Sequence, residues 1–445
     1  MASLRLRILL LGSGGREHAL AWHLSHSERV DVIFVAPGNS GTQHQAVKTC
    51  NAAADFQEGK NDKVLSFCKK NDVNLIIPTQ ELHLVNGIVD FFRKANIRCF
   101  GPTKLAARLE GSKAFAKSFM TRYGIPTANQ VTFESLIEAK SWMIDHFARS
   151  GRRIVIKASG INFGKGVFVV DTLEQALTVL DALVLQENLG IFVQIGPVIV
   201  EEYLEGVEFS TAALTDGSLL TMLPPFRDYK RLCGFDRGPN TGGMGTMCPT
   251  LRCPPEGLKQ IEEKFFRPTL DGMRKEGCSY SGFLCMDFIW TAAGPKGIEY
   301  DCRFGDPETQ ALIPLIQTRV DVAEMAWPLA GGPSNDYISY PSGRFCVAVV
   351  LISDGYPDSS QTGQSIEISA FTEEGEGIYI FHGGMTESDG LLKVARGRVA
   401  TVCSVGNSLQ EARQRAYTGV ISVKFKGMAY RLDIGDEMST SWAGN

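Results

Sequence analysis

Arg5-Leu6-Arg7-Ile8-Leu9-Leu10-Leu11-Gly12-Ser13-Gly14-Gly15-Arg16-Glu17 sets a short apolar run, a glycine turn and the start of a helical pattern in direct succession. A continuous apolar run of strand length, closed by glycines and followed by a 3.6-residue period, is how a parallel α/β sheet opens. Outward from it, Val32–Val35, Leu75–Pro78 and Arg98–Phe100 read as strands. His18–His26, Lys63–Asn71 and Leu84–Ala95 read as the helices between them. The spacing predicts a βαβ sheet covered on both faces and ending at Gly101-Pro102-Thr103. Arg5 and Arg7 imitate the start of a leader peptide, but Ile8–Leu11 is too short for its apolar part.

The 445 residues leave room for two to four domains at ~150 residues each. Lys and Arg number 45 and Asp and Glu 49, a net charge of −4 that offers no general attraction to nucleic acid or an anionic membrane. No apolar run reaches the ~18 residues of a membrane span. Apolar residues at 44% and charged residues at 21% exclude wholesale disorder and a disulfide mini-scaffold. Eleven scattered cysteines without a C-x-x-C pair, and seven histidines without a ligand cluster, fit a reduced, cytoplasmic chain with no structural zinc.

Beyond the first unit, Lys104–Tyr123 reads as a helix stopped by Gly124-Ile125-Pro126. Arg153–Ala158, Val167–Val170 and Val198–Tyr203 read as strands, Leu173–Leu183 as a helix, and Glu208–Leu220 as a hairpin turning at Thr215-Asp216-Gly217. Phe283–Thr291 and Gly297–Tyr300 form a second strand pair. After the linker candidate Ala330–Ser334, strands at Arg344–Ile352, Ile378–Phe381 and Arg398–Val405 and a helix at Ser408–Tyr417 predict a small α+β domain.

Several segments carry candidate chemistry. Gly12–Glu17 opens a helix whose free amides can bind an anion, or it is a tight turn whose glycines only permit packing. The segment does not fit the pattern of a nicotinamide dinucleotide site, because Glu17 stands where the third glycine belongs and Ala36-Pro37-Gly38-Asn39 replaces the ribose-binding acid. Lys157–Gly166 joins two strands through glycines and lysines and suits a flap over phosphates; it is one residue short of a Walker loop. Val200–Glu208 is an apolar strand ending in acids, fit to meet a purine edge and a ribose, or else a solvated turn. Glu299-Tyr300-Asp301-Cys302-Arg303 puts two carboxylates and an arginine on one face of a strand, with Asp287 on the preceding one. Paired hard oxygens suit Mg²⁺ and arginine suits a transferring phosphoryl; a cross-strand ion-pair set is the alternative. Gly238–Gly245 is a backbone-rich loop suited to a small carboxylate, or a surface crossover.

Together these segments resemble the phosphoribosylamine–glycine ligase (glycinamide ribonucleotide synthetase) family of the ATP-grasp superfamily, over Ile8 to about Ile434. The likeness rests on Gly12–His18 (GSGGREH), Ala36–Gly41 (APGNSG), Phe100–Thr103 (FGPT), Lys157–Gly160 with Gly164–Val167, Gly238–Gly245 (GPNTGGMG) and Arg303–Gln310 (RFGDPETQ) in one order. It implies an α/β and α+β chain: a Rossmann-like N-terminal domain at 1–103, an ATP-grasp core at 104–331 with a mobile lid at about 124–197, and a small α+β domain at 332–435. The implied reaction joins glycine to 5-phosphoribosylamine through an acyl phosphate, with ATP as co-substrate and Mg²⁺ (or Mn²⁺) as cofactor. Its implied partners are a small amino acid and an amine, with no nucleic acid or membrane, in a monomer or dimer.

By the same resemblance, Arg303, Lys157 and Asp228 would be catalytic. ATP would meet Lys113, Lys157, Gly164, Lys165, Gly166, Glu208 and the hinge Glu201, Glu202, Tyr203 and Leu204. Substrates would meet Gly14, Gly15, Arg16, Glu81, Lys230, Asn240, Gly242, Gly243, Arg303 and Asp306, and the metal Glu299, Asp301 and Asp287. The chain departs from the family's pattern in several places. Thr79-Gln80-Glu81-Leu82-His83-Leu84 keeps only the acid of a P-E-A-P-L turn associated with phosphoribosylamine. Ile161-Asn162-Phe163 replaces L-A-A, and no F-G-x-A-G segment is recognisable in Leu185–Gly196. Asp301 replaces an asparagine and Cys285-Met286-Asp287 a Y-A-G, both adding carboxylate. Arg227-Asp228-Tyr229-Lys230-Arg231 keeps the acid and two basic residues of Q-D-H-K-R. Three functions stay open at this point: the family's own reaction, a diverged ligase for another amino acid and amine, and a nucleotide-binding relative without catalysis.

Overall fold

Five parallel strands build the first sheet: Leu6–Gly12, Val30–Pro37, Thr49–Asn51, Leu75–Pro78 and Arg98–Cys99, with Leu6–Gly12 central between Val30–Pro37 and Leu75–Pro78. The computed structural model describes residues 5–44, 47–52, 56, 59–159, 166–188, 196–254, 256–316, 321–326, 343–369 and 377–437. Gly160–Lys165, with the expected ATP contacts Gly164 and Lys165, lies outside the described residues, as do the linker Ala330–Ser334 and most of Leu185–Gly196. Ile8, Leu9, Leu10 and Leu11 are all buried, because both faces of a parallel sheet are covered and the strand need not alternate. The helix Gly15–Ser25 starts directly beyond the carboxyl end of that central strand.

Two expected helices are each two. Leu84–Ala95 divides into Glu81–Val85 and Ile88–Lys94, because Gly87 adopts φ +85° and breaks the helical path. Lys104–Tyr123 divides into Arg108–Gly111 and Lys113–Arg122, because Ser112 is extended and its Oγ caps the second helix by accepting from the Phe115 amide at 3.2 Å.

A four-stranded antiparallel sheet follows, in the order Gln130–Phe133, Val198–Glu202, Ile154–Ala158, Val167–Val170. With the helices Leu136–Arg149 and Leu173–Asn188 it has its own core, including Met143, Ile154, Ile156, Leu180 and Val200. The strand Gln130–Phe133 and the helix after it carry no signal that the sequence reading used. Next, Leu220–Met222, Val207–Thr215, Gly282–Thr291 and Gly294–Asp301 make an antiparallel sheet whose last two strands form the acidic ribbon.

The last large sheet runs Arg227–Asp228, Gly245–Cys248, Phe345–Ile352, Arg398–Gly406, Ile378–His382. Its first two strands come from the middle of the chain, so the segment around Gly238–Gly245 is anchored in the C-terminal sheet. Ile8, Ile77, Phe304, Leu312, Ala348 and Phe381 share one apolar core, which joins the first sheet, the helix Glu308–Ile316 and this last sheet. Among the described residues, no helix is long and apolar enough to cross a membrane.

Buried polar ties hold these units in register. Lys117 Nζ lies 3.2 Å from Glu201 Oε1 and Lys157 Nζ 3.0 Å from Glu201 Oε2, all three side chains being at most 4% exposed. One carboxylate thus links the helix Lys113–Arg122 to two strands of the second sheet. Burial and the neighbouring Lys157 draw the Lys117 ammonium down to about 8, against the pull of Glu201. At the other end, the His382 amide donates to His18 Nδ1 at 2.9 Å and Asn39 Nδ2 to the His382 carbonyl at 2.7 Å. Burial holds His382 down to about 4, with His44 adding to the effect, and burial and then His382 hold His18 well below its usual value.

Glu201→Gln leaves two buried ammonium groups without their shared anion, and denaturant unfolding is expected to show a loss of about 3 kcal/mol. A loss below about 1 kcal/mol would remove this tie from the structure's support. The histidines give a pH dependence. Unfolded histidine takes its proton near pH 6.5, so the stability due to neutral His382 is complete above that value and is lost as pH falls toward 4. Between pH 7 and pH 5 the loss from His382 is roughly 2 kcal/mol. The thermal midpoint is expected to fall less over that range in His382→Asn than in the parent chain, and equal falls would refute the assignment.

Candidate active site

The ribbon register decides the centre of the site. Cys285 pairs with Asp301 and Asp287 with Glu299, and side chains two apart on a strand share a face, so all four crowd one side. The ligand atoms of Cys285, Asp287 and Asp301 lie within 4.8 Å of one another. Ser210, opposite Asp287 on the neighbouring strand, donates to Asp287 Oδ1 at 2.6 Å. Lys230 enters this cluster with its Nζ 2.6 Å from Asp287 Oδ2, 3.0 Å from Glu208 Oε1 and 3.8 Å from Glu299 Oε1. Burial opposes the charge on Lys230, yet Asp287, Glu208 and Glu299 hold its pKa well above the usual lysine value. Burial pushes Glu299 up, but Lys230, Lys113 and Lys157 outweigh it and hold the carboxyl at about 2. Asp287 shows the opposite balance: burial pushes it up to about 7 despite Lys230.

Arg303 continues the ribbon and gathers three acids. Its Nη2 lies 3.2 Å from Glu110 Oε1 and 3.5 Å from Asp301 Oδ1, and its Nε 3.3 Å from Glu81 Oε2. Burial raises Glu110 to about 8 against the pull of Arg303. Burial also pushes Glu81 up, but Arg303 outweighs it and keeps that carboxyl below its usual value. Glu81 and Arg303, both named from the sequence, are brought together here.

Both glycine loops differ from their sequence reading in one respect: most of their amides are already used within the protein. Gly14 N–H donates to the Glu17 carboxylate and Arg16 N–H to Asp306 Oδ2 at 3.3 Å. Arg16 Nη1 donates to the Phe304 carbonyl at 3.0 Å, and Gly15 packs against Gln310. In the second loop Thr241 N–H donates to the Lys230 carbonyl at 2.8 Å and Gly242 N–H to Tyr356 OH at 3.0 Å. Gly243 N–H donates to Thr241 Oγ1 at 3.0 Å and Met244 N–H to the Tyr229 carbonyl at 2.9 Å. The physical reason is that a buried amide needs an acceptor whether or not a ligand is bound. Asn240 lies in a short strand paired with Arg231. Arg398, from the C-terminal sheet, donates to the Gly242 carbonyl and, at 2.6 Å, to the Asp306 carbonyl, clamping the loop to the Asp306 turn. Burial raises Asp306, and Arg398 and Arg16 bring it below the usual aspartate value.

The remaining sequence-named residues divide. Lys113 lies close enough to Glu299 to lower its pKa, in company with Lys157. The Gly166 carbonyl accepts from the Ala158 amide at 2.9 Å. Glu201 faces the two lysines, whereas Glu202 turns away and accepts from the Asn129 amide at 2.9 Å. Tyr203 is 37% exposed with Arg153 over its ring, and Leu204 is half-buried. Glu208 is half-exposed and pairs with Lys230. Sequence reasoning missed Lys117, Glu110, Arg398 and Glu17 as site residues. Lys117 carries a signal, since it stands four residues after Lys113 on the same helix face. Arg398 carries none.

Four buried charged groups among these residues have an atom without a hydrogen-bond partner: Lys157 Nζ and Glu201 Oε1, whose ion pairs are not aligned as hydrogen bonds, Asp228 Oδ1 and Glu308 Oε2. Asp287, Glu299 and Asp301 offer hard oxygens. The Cys285 thiol is pushed well above its usual pKa by burial and then by Asp287 and Asp301, so it stays protonated. Such a donor set fits a hard cation such as Mg²⁺ or Mn²⁺.

Sequence profiles of phosphoribosylglycinamide synthetase match at 6–110 (N domain), 111–309 (ATP-grasp domain) and 346–437 (C domain). The trifunctional purine biosynthetic protein adenosine-3 of Gallus gallus is 40% identical over 96% of this chain and 42% of its own length. A phosphoribosylamine–glycine ligase of Rhodopirellula baltica is 36% identical over 97% of this chain and 98% of its own. The chain therefore spans less than half of the trifunctional relative and nearly all of the single-function one. The crystal structure of phosphoribosylamine–glycine ligase from Thermotoga maritima superposes with a TM-score of 0.81 at 36% identity, covering 96% of this chain and 100% of that one. The biotin carboxylase domain of Hydrogenobacter thermophilus 2-oxoglutarate carboxylase shares the fold, at 16% identity and a TM-score of 0.71 over 96% of this chain and 92% of its own. With the three profiles matched in order and full-length relatives above a third identical, the chain belongs to the phosphoribosylamine–glycine ligase family of the ATP-grasp superfamily.

Proposed function

We propose that this chain joins the carboxylate of glycine to the amine of 5-phosphoribosylamine, converting ATP to ADP and phosphate. The observation that carries the reading is the meeting of Lys157, Lys113 and Arg303 with the carboxylates Glu299, Asp301 and Asp287 on one ribbon face. The near full-length likeness to phosphoribosylamine–glycine ligases supports this pair of substrates over the diverged alternative.

A carboxylate resists attack by an amine at neutral pH, so it must first be activated. In the proposed first step a glycine carboxylate oxygen forms a bond to the γ-phosphorus as the bond from that phosphorus to ADP breaks. In the second, the amine nitrogen bonds the acyl carbon, phosphate leaves with its oxygen, and one proton is released. Lys113 and Lys157, with Gly164, Lys165 and Gly166, would hold the phosphates, the strand end at Glu201–Leu204 the adenine, and Glu208 the ribose. Asp287, Glu299 and Asp301 would hold Mg²⁺, which when bound draws charge from the phosphate oxygens. Arg303, fixed by Glu81 and Glu110, would face the transferring phosphoryl with its remaining donors. Closure of the segment at 124–197 would exclude water from the activated acid. All eleven cysteines are free, which supports a reducing compartment such as the cytosol.

ADP release is expected to require both glycine and phosphoribosylamine generated in place; release that ignores either one would end this reading. Glu299→Ala and Arg303→Ala are each expected to lower kcat/KM by about 100-fold or more. Unchanged turnover in both would show that the phosphoryl site lies elsewhere.

A further inference from the structure

We infer that Tyr356 and Arg398 are positioning residues that hold the Gly238–Gly245 loop in place for the amine substrate, an inference that rests on the proposed ligase reaction. Gly242 N–H donates to Tyr356 OH at 3.0 Å, and the Gly242 carbonyl accepts from Arg398 Nη1. Both backbone polar groups of one loop residue are thus held by side chains 114 and 156 positions further along the chain. Arg398 Nη1 also donates to the Asp306 carbonyl at 2.6 Å and lies 3.3 Å from Asp306 Oδ1.

The local structure brings the two side chains together. Arg398 opens the strand Arg398–Gly406 and pairs with Ile352, the last residue of Phe345–Ile352, and Tyr356 follows four residues later. Gly397 makes room for the Tyr356 ring, since a Cβ there would stand 2.4 Å from Tyr356 Cδ2. The ring packs against the apolar cluster of Met244, Val350 and Ile352. Met244 follows Gly242 by two residues in the same loop, and its carbonyl accepts from the Val350 amide at 3.0 Å. Apolar contact therefore fixes the ring, and the hydroxyl alone reaches the Gly242 amide.

The hold is passed on in two directions. Thr241 N–H and Oγ1 both donate to the Lys230 carbonyl, at 2.8 and 2.9 Å, and Gly243 N–H donates to Thr241 Oγ1 at 3.0 Å. Lys230 carries its ammonium into the acidic ribbon, 2.6 Å from Asp287. On the other side Asp306 Oδ2 accepts from the Arg16 amide at 3.3 Å. The loop thus spans from the ribbon to the N-terminal glycine turn, whereas Lys157 belongs to a different set and pairs with Glu201. A shift of the loop would disturb the amine that must meet the activated acid and would leave the phosphate contacts at Lys157 in place. Misplacement by about 1 Å can cost about 100-fold in rate, and an activated acid kept waiting is lost to water.

The test follows ADP and amide together in the full chain, with ATP, glycine and phosphoribosylamine generated in place. The parent chain is expected to form one ADP per amide. Tyr356→Phe keeps the packed ring and removes the acceptor of one amide. It is expected to raise the KM for phosphoribosylamine about 10-fold, to leave the KM for ATP within about threefold, and to release about two ADP or more per amide. Arg398→Lys keeps the charge but loses the planar fork, and is expected to raise the same KM about 100-fold. Neither the KM nor the ADP-to-amide ratio depends on the fraction of folded enzyme, so a merely structural role lowers kcat alone. One ADP per amide with an unchanged phosphoribosylamine KM in both variants overturns the inference and leaves the ligase reading standing. A parent chain that forms no amide from glycine and phosphoribosylamine removes the ligase reading and this inference together.

Discussion

Several carboxylates must lie close together on one sheet face without losing their charge, and the site is built around that requirement. Asp287, Glu299 and Asp301 sit on adjacent ribbon strands, where burial pushes Asp287 and Glu299 toward protonation and the neighbouring carboxylates push Asp287 further. Lys230 and Arg303 resolve the conflict by different means. Lys230 is a compact ammonium placed among three acids, and Arg303 a planar fork that spreads its donors over Glu81, Glu110 and Asp301. The result is uneven: Glu299 is held fully ionised while Asp287 and Glu110 titrate near neutrality. A divalent cation entering this face would meet one carboxylate already charged and another able to ionise on its arrival.

Arg303 also explains how three units make one site. Glu81 comes from the first sheet's surroundings, Glu110 from the connecting helix and Asp301 from the ribbon. On the other side Arg398 holds the Gly242 loop to the Asp306 turn, and Asp306 in turn takes the Arg16 amide. The glycine loops are consequently scaffolding as much as binding surface. Most of their amides are spent on closing the architecture.

The legible parts of the sequence are those with local signals. The central strand and its glycine turn, the acidic ribbon and the flap strands are readable because period, turn chemistry and paired carboxylates are written within a few residues. Short breaks are not. The helices divided at Gly87 and at Ser112 read as continuous, because an apolar period persists across a one-residue interruption. The strands Arg227–Asp228 and Gly245–Cys248 are hidden too, since two to four residues hold too little period to reveal which distant sheet they join.

Fold class, family resemblance and the identity of most charged residues at the site follow from the order of amino acids alone, because short motifs in a set order specify turns and strands locally. Which of those charges face each other emerges only from the folded chain. Glu81 meets Arg303 across 222 residues and Asp306 meets Arg398 across 92, and no local pattern encodes such a pairing. Burial then sets the protonation of each group, since the cost of a charge depends on the solvent and counter-charges that folding removes or supplies.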